Sequence, residues 1–433
     1  MIVRHHDENV GSGVSMMGMN YFVLVSRDAD NIAGLSTRLQ FGIYKAIRLN
    51  KKVCFGYRKV FFPSLFKRVP VVSIRRRHAI HKLQSPYIAN GWRQVVGDVV
   101  GFIIGVKCFV IFILDLVRYK LKIYDQVQEY PRLGYGGADI YDEDVIEGAD
   151  GRGEISWSKR YEVNLQLSLP KRDQDKCLKY FGEMGLEKRQ YVCLHIRTPR
   201  YKGTPSHDNT VFRNSTPGNC IDAIKFLAAK GVKIVRLGDP FEGIFPAMDG
   251  LVDYANSKYK SEEMDIYLIQ NALFYWGTNS GIYDTAMLFS VPVFAMNVTD
   301  FYYAQPYKVT DLFLYKRPYA KDLGRVQTFK ELFDEDLPPM LTRYEFIENS
   351  PEDIRLGVEE FFDNLAQKRY ERTSEQEAFS RHLKAAVRRW VKNELTYDPG
   401  KYRRLDLAQK EVLAHLHYNG ALGKSFASQY YGG

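Results

Sequence analysis

Residues 262–297, EEMDIYLIQNALFYWGTNSGIYDTAMLFSVPVFAMN, read as helix, strand, helix, strand. The two strand candidates, ALFYWG and VPVFAMN, are apolar throughout instead of alternating, the pattern of strands covered on both faces. Working back toward the N-terminus, the alternation continues. A helix from Asp173 to Met184 is closed by Gly185, which suits a left-handed cap. YVCLHI (191–196) is the next strand, and a helix from Ile221 to Lys230 is stopped by Gly231. KIVRLGD (233–239) and LVDYA (251–255) complete the set. Apolar strands separated by helices predict a parallel sheet with helices on both faces.

The rest of the 433 residues is organised around this segment. Near the N-terminus YFVLV (21–25), a helical pattern from Ile32 to Leu49 and KKVCFG (51–56) form a βαβ opening. The expected class is α/β, with two Rossmann-like lobes at 1–165 and 166–345 and a C-terminal helical extension at 346–433. Residues 131–160, rich in glycine and acid, read as the inter-lobe loop. The extension opens with Ser350 as cap and Pro351 at the first helical position, and 374–396 continue as a basic amphipathic helix. The tail ending QYYGG reads as loosely held.

Composition narrows the function classes. A hydrophobic fraction of 45% with 26% charged residues excludes wholesale disorder and fibrous repeats. The net charge of +10 is unevenly spread, because residues 1–133 alone carry 21 basic and 8 acidic side chains. From Lys45 to Lys122 there are 17 basic residues against Asp98 and Asp115. Such a lobe calls for an anionic partner, and an anionic membrane surface is the expected one. Nucleic acid is not expected, since no helix-turn-helix, RNA-recognition or zinc motif accompanies the charge. Val99 to Leu114, VVGFIIGVKCFVIFIL, is the most apolar stretch, and its sixteen residues fall short of the roughly 20 that span a bilayer. It reads as buried core, as an interfacial helix or as a span. Five scattered cysteines without metal spacing point to reduced thiols, and the polar start MIVRHHDENV does not read as a secretory leader, so none is expected. The expected location is the cytoplasm, peripheral on the inner face of the membrane. The acidic triplets Asp142–Asp144 and Asp334–Asp336 read as solvated loops, so no metal or other cofactor is expected.

In an open parallel sheet, ligands bind beyond the carboxyl ends of the strands. That rule selects His195 and Arg197 after the first strand of the second lobe, and Gly238 and Asp239 after the next. It also selects Thr278, Asn279 and Ser280, with Gly281 entering a helix. Arginine grips a diphosphate bidentately, and a helix start offers free N–H groups to an anion. The polar loop from Arg197 to Asn214 is longer than common connections and carries Tyr201, Asp208 and Arg213.

HIRTPRY, IVRLGDP and EMDIYLIQNALFYWGTNSG together resemble the second lobe of bacterial glycosyltransferases encoded with surface-polysaccharide genes. More remotely they are similar to the GDP-fucose-dependent α-1,6- and protein O-fucosyltransferases, over residues 20–55 and 185–300. The resemblance implies a GT-B architecture and a nucleotide-sugar donor. It implies a glycan or lipid-linked acceptor, mainly in the first lobe, and no need for a metal. By this likeness Arg197 stabilises the leaving β-phosphate, while His195 and Asp239 line the donor site. Asp265 holds donor hydroxyls or base, and Ser280 contacts the diphosphate. Asn31, Gly34 and Arg38 would face the inter-lobe cleft, and Asp208 is the candidate general base. Where the fucosyltransferases carry Arg-Arg-Thr-Asp, this chain has Arg197-Thr198-Pro199-Arg200, so the donor sugar does not carry over. The rival readings are a polysaccharide pyruvyl-type transferase and a non-catalytic nucleotide- or glycan-binding module.

Overall fold

The computed structural model describes residues 14–15, 21–26, 39–40, 43, 52–57, 79–86, 88, 165–198, 211–240, 245–302, 305–397, 416 and 418–432. The chain divides into two compact units, Met1–Asp144 with Val163–Pro170, and Val145–Glu162 with Lys171–Gly433. The expectations for 99–114, 131–160 and 142–144 lie outside the described residues.

In the first unit β1 (Val14–Ser15), β2 (Tyr21–Ser26) and β3 (Lys52–Tyr57) form a sheet in that order. β2 and β3 run parallel, with Tyr21 opposite Lys52 and Ser26 opposite Tyr57. A parallel pair needs a crossover, and Leu39, Gln40 and Ile43 within it are helical and buried. This is the expected βαβ opening. Gln84 and Ser168 exchange backbone hydrogen bonds of 2.8 and 3.0 Å, tying the segment before the second unit back to the first.

The second unit opens with α1 (Lys171–Glu183) and then alternates: β4 (Tyr191–His195), α2 (Ile221–Ala229), β5 (Lys233–Arg236), β6 (Leu251–Val252), α3 (Glu262–Asn271), β7 (Phe274–Thr278), α4 (Gly281–Leu288), β8 (Val293–Val298) and β9 (Leu312–Tyr315). A small antiparallel sheet of β10 (Arg317–Ala320), β11 (Arg325–Val326) and β12 (Tyr344–Ile347) follows, with α5 (Phe329–Asp334) inside it. The chain then forms α6 (Pro351–Gln367), α7 (Ser374–Tyr397), β13 (Ala421–Leu422) and α8 (Lys424–Tyr430).

The main sheet has seven strands, all parallel, in the order β13-β9-β8-β7-β4-β5-β6. From β4 the chain steps outward through β5 to β6, returns to the other side of β4 at β7, and steps outward again. This is the Rossmann-like order, and the direction reverses between β4 and β7. Right-handed crossovers in opposite directions place their helices on opposite faces. Accordingly α3 packs on α1 and α4, while α6 packs on α2. Every residue of β7 and β8 is buried, the reason their sequences are apolar at successive positions.

Two expectations change. LVDYA is a strand only at Leu251–Val252, and Tyr254–Asn256 turn into a short 3₁₀ helix. The tail is not loosely held, since the Tyr431 carbonyl accepts from the Lys330 N–H at 3.0 Å and the Tyr431 N–H donates to the Ala427 carbonyl at 3.1 Å. Ala421 and Leu422 pair with Leu312 and Phe313 as the edge strand of the main sheet, and Phe426 and Ala427 are buried behind them. The burial falls on two short pieces, Ala421 to Gly423 and Phe426 with Ala427, just upstream of the QYYGG ending and too short to set a period. The helices after residue 345 belong to the same compact unit as the sheet, and Phe379 and Trp390 of α7 pack against Phe333 of α5.

Candidate functional site

The site is built where β4 and β7 end side by side. His195 closes β4 opposite Gly277 of β7. A Cβ on Gly277 would lie 2.2 Å from the His195 carbonyl oxygen, so only glycine lets the two strands approach this closely. Gly238, just past β5, has φ +108°, and a Cβ there would lie 3.2 Å from His195 Cδ2. Glycine is therefore demanded twice around one histidine, at its backbone for close approach and beside its ring for left-handed backbone.

The ring's Nδ1 lies 3.0 Å from Ser280 Oγ. Ser280 is the extended residue that caps α4, but its hydroxyl makes no capping bond and goes to the histidine instead. Burial, joined by the charges of Lys260, Arg197 and Arg236, lowers the His195 pKa to about 4. The imidazole is thus neutral near pH 7, with one nitrogen able to donate and the other to accept.

Arg197 is buried and held from three sides. Its N–H donates to Thr278 Oγ1 (3.0 Å), its Nε donates to Asn214 Oδ1 (3.1 Å), and its carbonyl accepts from the Ser215 N–H (2.8 Å). Asn214 is fixed in turn, because Lys316 Nζ donates to its carbonyl at 2.5 Å. Lys316 follows β9 directly, is buried, and stands 3.8 Å from Glu348, whose other oxygen accepts from the Thr216 N–H at 2.7 Å. Burial pushes the Lys316 ammonium below its usual pKa, and Glu348 pulls the other way. Arg213 Nη2 donates to the Asn279 carbonyl at 2.6 Å. Three cationic side chains therefore converge on the segments 213–216 and 278–280, beside the start of α4.

Compared with known proteins, the chain matches no family model, no curated protein and no solved structure.

Of the residues selected from the sequence, His195, Arg197, Arg213, Gly238, Thr278, Asn279, Ser280 and Gly281 come together at this edge of the sheet. Asp239 is exposed, and its carbonyl accepts from Arg236 Nη1 at 3.2 Å. Asp265, in the first turn of α3, binds Lys260 Nζ with both carboxylate oxygens at 2.6 Å. Burial raises its pKa and Lys260 draws it back. The Lys260 charge is also among the causes that lower the His195 pKa. Tyr201, Asp208, Asn31, Gly34 and Arg38 lie outside the described residues. Among the described residues no group of three or more His, Cys, Asp or Glu is arranged to hold a metal.

Sequence reasoning missed Asn214, Lys316, Glu348 and Gly277. Lys316 carried the one available signal, a basic residue directly after the apolar run LFLY, the same strand-end rule that found Arg197.

Proposed function

We propose that this chain is a glycosyltransferase of the GT-B type that moves a sugar from a nucleotide-sugar donor to a glycan or lipid-linked acceptor in bacterial surface-polysaccharide synthesis. One observation carries the reading. The strand order reverses between the parallel β4 and β7, and Arg197, Arg213 and the start of α4 converge there around a neutral histidine. Such an arrangement suits a diphosphate, because its positive charge and the positive end of the α4 dipole are fixed before the ligand arrives.

In this reaction the sugar–phosphate bond breaks and charge gathers on the leaving diphosphate. Arg197 meets that charge with a guanidinium whose Nε and backbone are already committed to Asn214 and Thr278, so it need not reorganise. His195, neutral, shares a hydrogen bond with Ser280 and offers its remaining nitrogen to donor hydroxyl or phosphate oxygen. Neutralising the leaving group falls to these cations and the positive end of the α4 dipole, not to a metal. The base that takes the acceptor proton is assigned to Asp208, and the acceptor to the basic first unit.

Among the described residues no helix is long and apolar enough to cross a membrane. With 17 basic and 2 acidic residues between Lys45 and Lys122, the first unit is assigned to the anionic inner face of the membrane.

The test is nucleotide release from a panel of sugar nucleotides, with and without bacterial glycolipid, in wild type and Arg197→Ala. Losing one preorganised charge-assisted phosphate contact costs about 2–4 kcal/mol of barrier, or roughly 30- to 900-fold in turnover. A folded Arg197→Ala protein that keeps more than about a tenth of wild-type turnover overturns the assignment.

A further inference from the structure

A cavity of ≈ 480 Å³ opens beside the diphosphate seat and shares Arg213 and Asn279 with it. Its size lies within the roughly 300–1,000 Å³ of small-molecule sites. Its chemistry differs from that of the seat. One wall is built from Phe212 and Phe346, half-buried rings with centroids 6.3 Å apart, and from Pro338 and Pro339. Leu341 stands on the rim, 46% exposed, an apolar side chain left facing solvent.

Two carboxylates line the polar side, Asp284 from the first turn of α4 and Asp300 just after β8. Asp300 is fixed in place, since its Oδ1 accepts from the Tyr302 N–H at 2.7 Å. Among the described residues the one lining cation, Arg213, donates through Nη2 to the Asn279 carbonyl. Ionised carboxylates only accept hydrogen bonds. They repel phosphate and favour a ligand rich in hydroxyl donors. Rings and prolines supply flat apolar surface for the C–H faces of such a ligand. Charge thus divides one continuous edge of the fold into a cationic half and an acidic, aromatic half.

We propose that this cavity takes an uncharged, polyhydroxylated saccharide ring. Its role as a reactant rests on the glycosyltransferase reading above, but its binding does not. The ring comes either from the donor's own sugar or from the end of the acceptor glycan, and the second source places acceptor contacts in the same unit as the donor.

Saturation-transfer NMR on the full-length protein tests this. The probes are methyl glycosides of glucose, galactose, mannose, fucose and N-acetylglucosamine, together with UDP, GDP and their sugar conjugates. The variants are Asp300→Asn, which keeps the Oδ1 acceptor, Phe346→Ala, and Arg197→Ala for the nucleotides, each checked by thermal unfolding. Losing a hydrogen bond to a charged group weakens binding about tenfold. If the ring is the acceptor's, at least one glycoside binds and weakens in both variants while nucleotide sugars keep their affinity. If it is the donor's, nucleotide sugars weaken and plain UDP and GDP do not. Binding of no saccharide, binding unchanged in both variants, or plain nucleotides weakened by Phe346→Ala overturns the proposal, the last by showing a nucleobase slot. Glycoside binding without any Arg197-dependent nucleotide binding would leave the pocket standing and remove the transferase reading.

Discussion

Gly277→Ala tests the geometry on which the site depends. The added methyl would sit 2.2 Å from the His195 carbonyl oxygen, 2.9 Å from the Tyr275 hydroxyl and 3.1 Å from the His195 carbonyl carbon. The nearest obstacle is backbone of β4, which is paired on both sides, to β5 and to β7. It cannot retreat without lengthening ladder hydrogen bonds. Overpacking costs about 1–3 kcal/mol, and a rigid backbone obstacle puts this case at the upper end. A weakened ladder bond adds about 1 kcal/mol. Against this, replacing glycine in a strand recovers about 0.5–1 kcal/mol of chain entropy. The net is about 3 kcal/mol, or roughly 6–12 °C in Tm for a domain of this size class. Gly182→Ala is the control. It lies within α1 with nothing within 4 Å of the new Cβ, so it gains roughly 0.5–1 kcal/mol. Thermal unfolding followed by circular dichroism compares the two. A Gly277→Ala protein melting within about 2 °C of wild type would refute the close approach of β4 and β7.

Four further outcomes are expected. The folded-state pKa of His195, about 4, lies below its usual value of 6.5, so between those pH values the unfolded chain binds a proton the native chain refuses. Its contribution is therefore intact above about pH 6.5 and erodes on acidification, by about 3 kcal/mol at pH 4, and His195→Gln should flatten that slope in urea titrations at pH 7 and 4.5. Deleting residues 420–433 removes β13 and α8 and should lower the melting temperature and promote self-association in light scattering; an unchanged melting temperature and scattering would contradict the edge-strand role. Transfer should survive EDTA, and loss restored by Mg²⁺ or Mn²⁺ would show that a metal serves the diphosphate. Cosedimentation should occur with anionic vesicles and fade with salt, whereas equal recovery in the supernatant with neutral and anionic vesicles would end the membrane assignment.

Much of the second unit was legible because its signals are local. Gly185 and Gly231, read as helix stops, have φ of +62° and +76°. α3 spans Glu262–Asn271 as its pattern indicated. The strand-end rule found His195, Arg197 and the 278–281 turn without any side-chain geometry. What escaped is non-local. Arg197 is oriented by Asn214, and Asn214 by Lys316, which lies on a different strand connection and is anchored by Glu348. No spacing in the sequence announces such a chain of contacts. Ser280 was legible as a helix start but not as the partner of His195, since capping residues and hydrogen-bonding serines look alike in one dimension. β13 was invisible because two residues carry no period.

The pairing of β13 with β9 also has a consequence in time. Ala421 must find Leu312 across more than a hundred intervening residues, the most distant strand pairing in the main sheet. Loop closure grows costlier with separation, though slowly, and such contacts form late. Until then β9, whose four residues are all buried in the finished fold, is an open apolar edge on an otherwise assembled sheet. Refolding from denaturant should therefore show a slow last phase whose yield falls as protein concentration rises.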